Sequence, residues 1–382
     1  MKKNKSDITI VGGGPVGLFL GICLTKQGID CTILEKRAEP VQDSRSLGIH
    51  PVSLELFEKT GLTKEFLEKG IPIKKGLAHD GNKVLGSIHF DQLEGPFNFI
   101  LACPQFYTER ILLNKFLELN PEGLITGANV TGLHQTNEQA SCWYQKEGKE
   151  YCIISKYIIG CDGKNSLVRK ESGILYGGKR YPDTYIMGDF DDNTSFENQA
   201  VVFLPKQGLI ESFPLPDNMR RWVVKTDSYI NSPTTNILAD FVKQRVGIDL
   251  KLLKNTMISS FGVQSFSAEN YFKDRVILCG DAAHVVSPIG GQGMNLGWIG
   301  ASILAKALFK IKMNSEKDTE ILSEYQKQQK KIVKKASRRA EWNMRMGRKQ
   351  SFPFLSKILV QLILRTPLKK IALKVFTMKG LY

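Results

Sequence analysis

Residues 7–17 read Asp7-Ile8-Thr9-Ile10-Val11-Gly12-Gly13-Gly14-Pro15-Val16-Gly17. Residues 8–11 are all β-branched and three of the four are apolar, which is typical of a buried strand in a parallel sheet. The glycines that follow match the pattern G-x-G-x-x-G, and residues 18–27 have the composition of a helix. A strand, a glycine turn and a helix in this order predict a βαβ unit whose turn binds the pyrophosphate of a dinucleotide.

The next predicted strand supports a dinucleotide site. Residues 31–34 are apolar or β-branched, and the strand ends at Glu35, which is 18 residues after Gly17. A carboxylate at this point can accept hydrogen bonds from both ribose hydroxyls of an adenosine, and it would repel a 2′-phosphate. The pattern therefore favours FAD or NAD over NADP at this turn.

A second glycine-rich turn lies far along the chain. Residues 275–279 predict another buried strand, followed by Gly280-Asp281-Ala282-Ala283-His284 and then by the glycine-rich residues 287–295. The Asp281 carboxylate suits the hydroxyls of a ribityl chain, and the backbone N–H groups of the turn suit phosphate and the oxygens of a flavin ring. This turn favours FAD over NAD.

Three blocks of sequence together resemble one family. They are residues 7–37 with 44–57 and 104–112, residues 160–169 with an Asp162-Gly163 pair, and residues 280–295. In this order they resemble the FAD-dependent aromatic hydroxylases, which are single-component flavoprotein monooxygenases similar to para-hydroxybenzoate hydroxylase. The resemblance covers most of residues 7–310.

The resemblance implies an α/β (α+β) fold. A Rossmann-like FAD-binding domain with a parallel sheet would be interleaved with an antiparallel β-sheet substrate domain, and helices would follow at the C-terminal end. The implied domains are residues 1–72, 100–180 and 266–312 for FAD, residues 73–99 and 181–265 for the substrate, and residues 313–382 for the basic C-terminal helices.

The resemblance also implies the cofactor site. Glu35 would bind the adenosine ribose, Asp281 the ribityl or pyrophosphate region, and Pro288 would shape the oxygen pocket beside the flavin. The implied residues are Gly12, Gly14, Pro15, Val16, Gly17, Glu35, Lys36, Arg37, Arg45, Gln105, Arg110, Asp162, Arg169, Gly280, Asp281, Pro288, Gly291, Gly293, Met294 and Asn295.

The family's reaction would use NADPH or NADH and O2 to hydroxylate an aromatic, phenolic or polyketide-like molecule through a C4a-hydroperoxyflavin on non-covalently bound FAD. Two other enzymes stay open, namely a flavin-dependent reductase of isoprenoids and an oxygenase that inactivates a drug such as a tetracycline or rifamycin. A flavin-binding protein without turnover is an alternative from a different class.

The middle of the chain predicts the substrate side of the site. Residues 183–264 contain short β-branched and aromatic runs separated by turn residues, which indicates an antiparallel sheet. Candidate substrate contacts are Met187, Asp189, Phe203 and Phe213, since alternate strand residues face a pocket and one sequence does not fix the register. His50 is a candidate catalytic residue at the substrate or flavin edge, or a structural histidine.

The charge is concentrated at one end. Residues 327–382 hold 16 of the 53 basic residues and one of the 38 acidic ones, so residues 1–326 are neutral. Neutrality of the main body gives no support to nucleic-acid binding. The tail predicts basic amphipathic helices, which would either pack on the two domains or lie on an anionic membrane.

Cysteine usage and hydropathy predict the compartment. The seven cysteines are odd in number and show neither a C-x-x-C pair nor a Cys/His cluster, so we expect reduced thiols and no metal site. The glycines after residue 11 argue against a secretory signal, and no apolar run is long enough to span a bilayer. The sequence therefore predicts a cytoplasmic location, peripheral to a membrane if the tail binds lipid, and does not indicate an oligomeric state.

Overall fold

The computed structural model describes residues 4–40, 46–81, 83–314, 317–348 and 353–381. The helices are α1 Pro15–Lys26, α2 Pro51–Thr60, α3 Thr63–Lys69, α4 Gln105–Leu119, α5 Leu167–Glu171, α6 Thr235–Val246, α7 Gln292–Met313, α8 Asp318–Gly347, α9 Pro353–Arg365 and α10 Lys369–Phe376. The strands are β1 Lys5–Val11, β2 Cys31–Glu35, β3 Gly48–Ile49, β4 Ile71–Ile73, β5 Lys75–His79, β6 Val84–His89, β7 Ile100–Ala102, β8 Leu124–Thr126, β9 Asn129–Gln135, β10 Ala140–Lys146, β11 Lys149–Gly160, β12 Tyr176–Asp191, β13 Ala200–Phe203, β14 Ile210–Leu215, β15 Met219–Thr226, β16 Asn255–Ala268, β17 Phe272–Lys273, β18 Val276–Leu278 and β19 His284–Val285.

The first sheet is built around a parallel core. Its strands run in the order β17-β18-β11-β1-β2-β8, and β10 and β9 extend it by antiparallel pairing from β11. Val11 lies opposite Gly160 on one side and Leu34 on the other, and Gly160 lies opposite Leu278. The carboxyl ends of four strands therefore meet at one edge, where a parallel α/β sheet places its ligands.

Two apolar helices cover this sheet and contact each other. Helix α1 is buried along most of its length, and α7 packs directly against it. Trp298 of α7 is fully buried and donates from its indole nitrogen to the carbonyl of Pro15 at 3.0 Å. This contact fixes the start of α1 relative to α7, and thus one glycine turn relative to the other.

The second sheet is mostly antiparallel, in the order β19-β16-β12-β15-β14-β13-β5-β6. Only the β13–β5 pair is parallel, and it attaches the β5–β6 hairpin to the edge. One face packs on α6 through an apolar cluster that includes Trp222 and Leu238, and the other face packs on Ile289, in the loop before α7, and on Met344 of α8. The mixed α/β fold expected from the sequence is confirmed.

A small third sheet, in the order β3-β7-β4, packs against β14 of the second sheet. The C-terminal helices return over the same region: α8 packs on α7, and α9 and α10 pack on β6. Leu364 approaches β6 so closely that a methyl group on Gly86 would lie 2.8 Å from it. In the described parts of the chain, no helix is long and apolar enough to cross a membrane.

Candidate functional site

The glycine turn after β1 is tightly packed on one side and open on the other. Gly12 has φ +106°, and a Cβ there would lie 2.5 Å from the carbonyl oxygen of Cys161. A Cβ on Gly17 would lie 1.9 Å from the carbonyl oxygen of Gly12. A Cβ on Gly14 would meet no atom within 4 Å. Gly12 and Gly17 therefore let the backbone fold closely, while Gly14 borders an open space at the start of α1.

Glu35 lies at the end of β2 beside this turn and is buried. Its Oε2 accepts a hydrogen bond from the backbone of Gly13 at 2.7 Å, and its Oε1 accepts from Arg37 Nε at 2.9 Å. Arg37 also donates to Glu109 at 3.3 Å, and Gln105 donates to the other oxygen of Glu109 at 2.8 Å. A polar network thus runs from the glycine turn to the start of α4.

The second glycine turn is held by the buried amide of Asn295 on α7. Its Nδ2 donates to the carbonyls of Gly48 and Gly291, each at 2.8 Å. Its Oδ1 accepts from the backbone of His50 at 2.9 Å and from Ser53 Oγ at 2.7 Å. With all four positions of the amide used, Asn295 links β3 and α2 to the loop before α7.

His50 completes this link. Its Nε2 lies 3.0 Å from the Gly290 carbonyl, which can only accept, so Nε2 donates and the neutral ring leaves Nδ1 without a proton. Among the described residues, Nδ1 has no hydrogen-bond partner. Burial lowers the pKa of His50 to about 4, because a protonated ring would place a second N–H where nothing accepts it. His50 is therefore neutral at pH 7.

A third turn follows β11, next to the first. Arg169 of α5 donates to the carbonyls of Ala282 and Lys164, both at 2.8 Å, and its guanidinium stacks on Tyr176. Asp162 accepts from the backbone of Val168 at 3.1 Å, and burial raises the pKa of its carboxyl. Arg169 thus ties the turn after β11 to the turn after β18.

These three turns border one cavity of about 1310 Å³, which continues to the open face of the second sheet. Asp281 lies on its wall with an exposed side chain that faces the cavity. Of the residues singled out from the sequence, those that line the cavity are Gly14, Pro15, Val16, Arg37, His50, Gln105, Met187, Phe213, Asp281, Pro288, Gly291, Gly293 and Met294.

The other singled-out residues lie behind the wall or away from it. Seven of these residues support the turns through the backbone and hydrogen bonds, namely Gly12, Gly17, Glu35, Asp162, Arg169, Gly280 and Asn295. Lys36 and Arg110 do not line the cavity. Arg110 is exposed on α4. Arg45 lies outside the described residues.

Of the four candidate substrate contacts, two line the cavity and two do not. Met187 and Phe213 line the cavity. Phe203 does not: on β13 the cavity takes the alternate residues Ala200 and Val202, so Phe203 points to the opposite face and packs against Trp222. Asp189 lies two residues from Met187, on the same face of β12. Its two carboxylate oxygens accept hydrogen bonds from Nε and Nη2 of Arg221 at 2.6 and 2.7 Å.

Two groups of lining residues were not found from the sequence. The first consists of two polar side chains on the sheet, namely Glu211, which lies opposite Val223, and Arg221, which lies opposite Phe213 and Asp189. The second belongs to the C-terminal helices and comprises Arg338, Arg339, Trp342, Asn343, Val360, Ile363, Leu364, Leu368, Ile371, Ala372, Val375 and Phe376. The apolar spacing of α9 and α10 was visible in the sequence, but the surface that they cover was not.

Glu211 is the unusual member of the first set. Its side chain is half-buried and its exposed part faces the cavity. Burial raises the pKa of its carboxyl to about 7. No described residue hydrogen-bonds to it or forms an ion pair with it.

Comparison with known protein families identifies the family to which the chain belongs. The FAD binding domain family matches residues 5–340 of the chain. The chain belongs to the FAD binding domain family. The resemblance to FAD-dependent aromatic hydroxylases is thereby confirmed.

The residues present fit FAD. The open space at Gly14 lies beside the N-terminus of α1, where backbone N–H groups suit a pyrophosphate. The Asp281 carboxylate is open to the cavity, and the loop from Pro288 to Gly291 leads into the N-terminus of α7. The cavity extends beyond these turns to the sheet, which leaves room for a second molecule.

Two curated relatives are similar to this member of the family. A rifampicin monooxygenase from Streptomyces venezuelae is 33% identical over 298 residues, which cover 76% of this chain and 61% of that protein. A 12-dehydrotetracycline 5-monooxygenase/anhydrotetracycline 6-monooxygenase from Streptomyces rimosus is 29% identical, with 76% and 60% covered. The chain thus spans about three fifths of the length of these relatives.

Two solved structures share the fold. An anhydrotetracycline hydroxylase from Streptomyces rimosus has a TM-score of 0.80 and 26% identity, with 98% of this chain and 76% of that chain covered. A p-nitrophenol 4-monooxygenase from Pseudomonas putida has a TM-score of 0.89 and 19% identity, with 100% and 99% covered. At 19% identity the second comparison supports the fold alone.

The two kinds of glycine in the first turn predict different losses. Gly17→Ala places a methyl group against the Gly12 carbonyl, so we expect the free energy of unfolding to fall by about 3 kcal/mol. Gly14→Ala meets open space, so stability should change by less than about 1 kcal/mol, the usual cost at a helix N-cap. The affinity of Gly14→Ala for FAD should fall about tenfold, because the methyl group enters the cofactor space. Urea unfolding of the apoprotein measures the stability of each variant, and titration with FAD measures its affinity. Equal stability of Gly14→Ala and Gly17→Ala would contradict the close contact at Gly17.

The raised pKa of Glu211 predicts a pH-dependent stability. The carboxyl is more basic in the folded protein than in the unfolded chain, so folding is favoured while it is protonated and loses that advantage as pH rises from about 4.5 to about 7. Relative to Glu211→Gln, the wild type should lose on the order of 2 kcal/mol across this window, a value discounted because water enters the cavity. Urea unfolding at pH 5 and pH 8 measures the difference, and a constant difference would refute the shift.

Proposed function

We propose that the protein is an FAD-dependent monooxygenase that uses NADPH or NADH and O2 to hydroxylate an aromatic, phenolic or polyketide-like molecule. The observation that carries the proposal is the single cavity that joins the dinucleotide turn to an apolar sheet face. Membership of the FAD binding domain family supports the cofactor, and the activities for which the relatives are named support the reaction class.

In this proposal the chain works as the three parts expected from the sequence: residues 1–72, 100–180 and 266–312 hold FAD, residues 73–99 and 181–265 face the substrate, and residues 313–382 close the site. The Glu35 and Arg37 pair holds the adenosine end, Asp281 holds the ribityl or pyrophosphate region, and the loop at Pro288 faces the flavin ring. Bound FAD supplies hydride acceptance from the nicotinamide and activation of O2.

The protein's own groups then position the substrate and exclude water. Met187, Val223 and Phe213 form an apolar wall, and the neutral His50 holds the Gly290 loop without adding charge. Exclusion of water by such walls strengthens each polar contact made inside.

The relatives favour a polycyclic substrate within this class. One is named a rifampicin monooxygenase and another acts, by its name, on tetracycline intermediates. A cavity of about 1310 Å³ is large enough for a ring system beside the flavin. Oxygenation of a polyketide drug is therefore the second candidate function.

Stopped-flow reduction tests the proposed function. The holoenzyme is mixed anaerobically with NADPH or NADH, with and without phenols, naphthoquinones and anhydrotetracycline. We expect one class of compound to accelerate flavin reduction at least about tenfold, and the aerobic product to be heavier by one oxygen atom.

Other outcomes of this experiment reject the proposal in distinct ways. A yellow protein reduced at one rate whatever is added is not a substrate-gated hydroxylase. A product heavier by two hydrogen atoms would indicate a reductase, and a colourless protein without affinity for FAD would reject the cofactor.

We also propose that the protein works in the cytoplasm, at the surface of an anionic membrane. The cysteines are free in the structure, which suits a reducing compartment. Helices α9 and α10 line the cavity with one face, and α9 exposes Ile358 and Leu362 on another. Residues 353–381 contain basic side chains and no acidic ones, as binding to anionic lipid requires.

A vesicle experiment tests this surface. Reversing Arg365, Lys370 and Lys374 to Glu should weaken binding to phosphatidylserine-rich vesicles about a hundredfold, since each basic residue contributes about 1 kcal/mol. The matched control reverses Lys59, Lys64 and Lys149, which are exposed elsewhere. Co-sedimentation measures binding, and equal losses in both triple variants would reject a specific surface.

A further inference from the structure

The face of the second sheet that borders the cavity is ordered in cross-strand rows. In one row Met187 lies opposite Val223, Val223 opposite Glu211, and Glu211 opposite Val202. Val202 in turn lies opposite Ala78 of β5. Residues directly opposite each other share a face, so Glu211 is the one charged group of this five-residue row.

The same face holds two other carboxylates, and both are neutralised. Asp189 is held by Arg221 at 2.6 Å, and Asp183 by Arg348 at 2.7 Å with Lys225 at 3.6 Å. Both aspartates are almost fully buried. Glu211 has neither a cation nor a hydrogen-bond donor among the described residues, although a buried acid normally acquires one.

None of the described groups around Glu211 donates a hydrogen bond to its carboxylate. The titratable or charged residues that face it or line the cavity near it are Asp183, Tyr185 and Asp189 on β12, Arg221 and Lys225 on β15, and Arg338 and Arg339 on α8. The lining residues of β13, α9 and α10 are uncharged. Arg221 and Lys225 already bind aspartates, and the Tyr185 hydroxyl has no described partner.

We propose that Glu211 binds the hydroxyl proton of the substrate and so selects phenols and enols over their ethers. This inference rests on the proposed function and assigns the substrate class and one catalytic residue to it. The row of the second sheet that borders the cavity, with Glu211 as its one carboxylate, fits a ring system that presents one acidic hydroxyl at that point. The raised pKa, about 7, keeps the carboxylate basic enough to accept a proton near neutral pH.

The chemical step is a single proton transfer. The O–H bond of the substrate breaks, its electron pair stays on the substrate oxygen, and the proton forms a bond with a Glu211 carboxylate oxygen. The net charge of the complex is unchanged, so the apolar wall does not oppose the transfer. The resulting oxyanion makes the ring carbons ortho and para to it more electron-rich, which favours attack there by an electrophilic oxygen.

The test compares two probes that differ by one methyl group, 1-naphthol and 1-methoxynaphthalene. The naphthol hydroxyl, like that of tyrosine, stays protonated in water between pH 5.5 and 8, so only the protein titrates in this range. Dissociation constants are measured by equilibrium dialysis against the FAD-loaded protein. In the wild type we expect the naphthol to bind about tenfold more tightly than the ether at pH 8, and about equally at pH 5.5.

Variants assign the effect to the carboxylate. Glu211→Gln should bind both probes with no change in their ratio between the two pH values, and Glu211→Leu should show no preference for the naphthol. Glu150→Gln, an exposed change on β11, should behave as the wild type. The FAD spectrum and the unfolding midpoint show that each variant is folded.

Defined outcomes overturn the proposal. A wild-type ratio that does not change with pH, or a Glu211→Gln ratio that still does, removes the role of Glu211. If neither naphthalene binds, the cavity does not take such aromatics and the assignment fails. Each of these results is compatible with substrate-accelerated flavin reduction by another compound, so failure of this inference is distinguishable from failure of the proposed function.

Discussion

The parallel register of β1 between β2 and β11 is the constraint on which the site depends. It aligns Val11, Leu34 and Gly160, and through β18 also Leu278, so the chain leaves four strands at one edge. The turns after β1, β11 and β18 lie together because of this alignment. The backbone can turn there only because residues 12 and 17 lack a Cβ, and the hydrogen bonds of Arg169 and Asn295 then hold separate turns together.

The sequence was most informative where function depends on backbone geometry. A glycine turn between a strand and a helix is a local pattern, so the dinucleotide site and the α/β fold could be predicted from it. Phe203 shows the limit: its strand was predicted, but its face depends on which neighbour it pairs with, and one residue of register reverses the answer. Glu211 could not be found from the sequence, because its raised pKa depends on the lack of a pairing group in the described parts of the folded protein. The part of the cavity wall formed by α9 and α10 could not be predicted either, because periodicity does not show where the chain reverses direction.

The electrostatics of the cavity follow from selective pairing. Burial raises the free energy of a charged group, and the buried groups of this cavity fall into three kinds. Asp183 and Asp189 are paired with cations, and His50 is neutral. Glu211 is unpaired among the described residues, and burial raises the pKa of its carboxyl to about 7. Only the last state can change during a reaction at constant pH without breaking an ion pair. On the substrate face of the second sheet, Glu211 is therefore the carboxyl group that can exchange a proton with a bound molecule.

The C-terminal helices join the outer surface to this wall. Leu368, Ile371 and Phe376 line the cavity and are also substantially exposed, so the layer between cavity and exterior is one helix thick on this side. On the side of the first sheet, the described residues form a continuous apolar core of many buried side chains. Helices α9 and α10 contact β6 through apolar side chains such as Leu364 and Leu373, whereas the strands of the sheet are joined by hydrogen bonds, so the helices can separate from β6 at lower cost than the sheet can open.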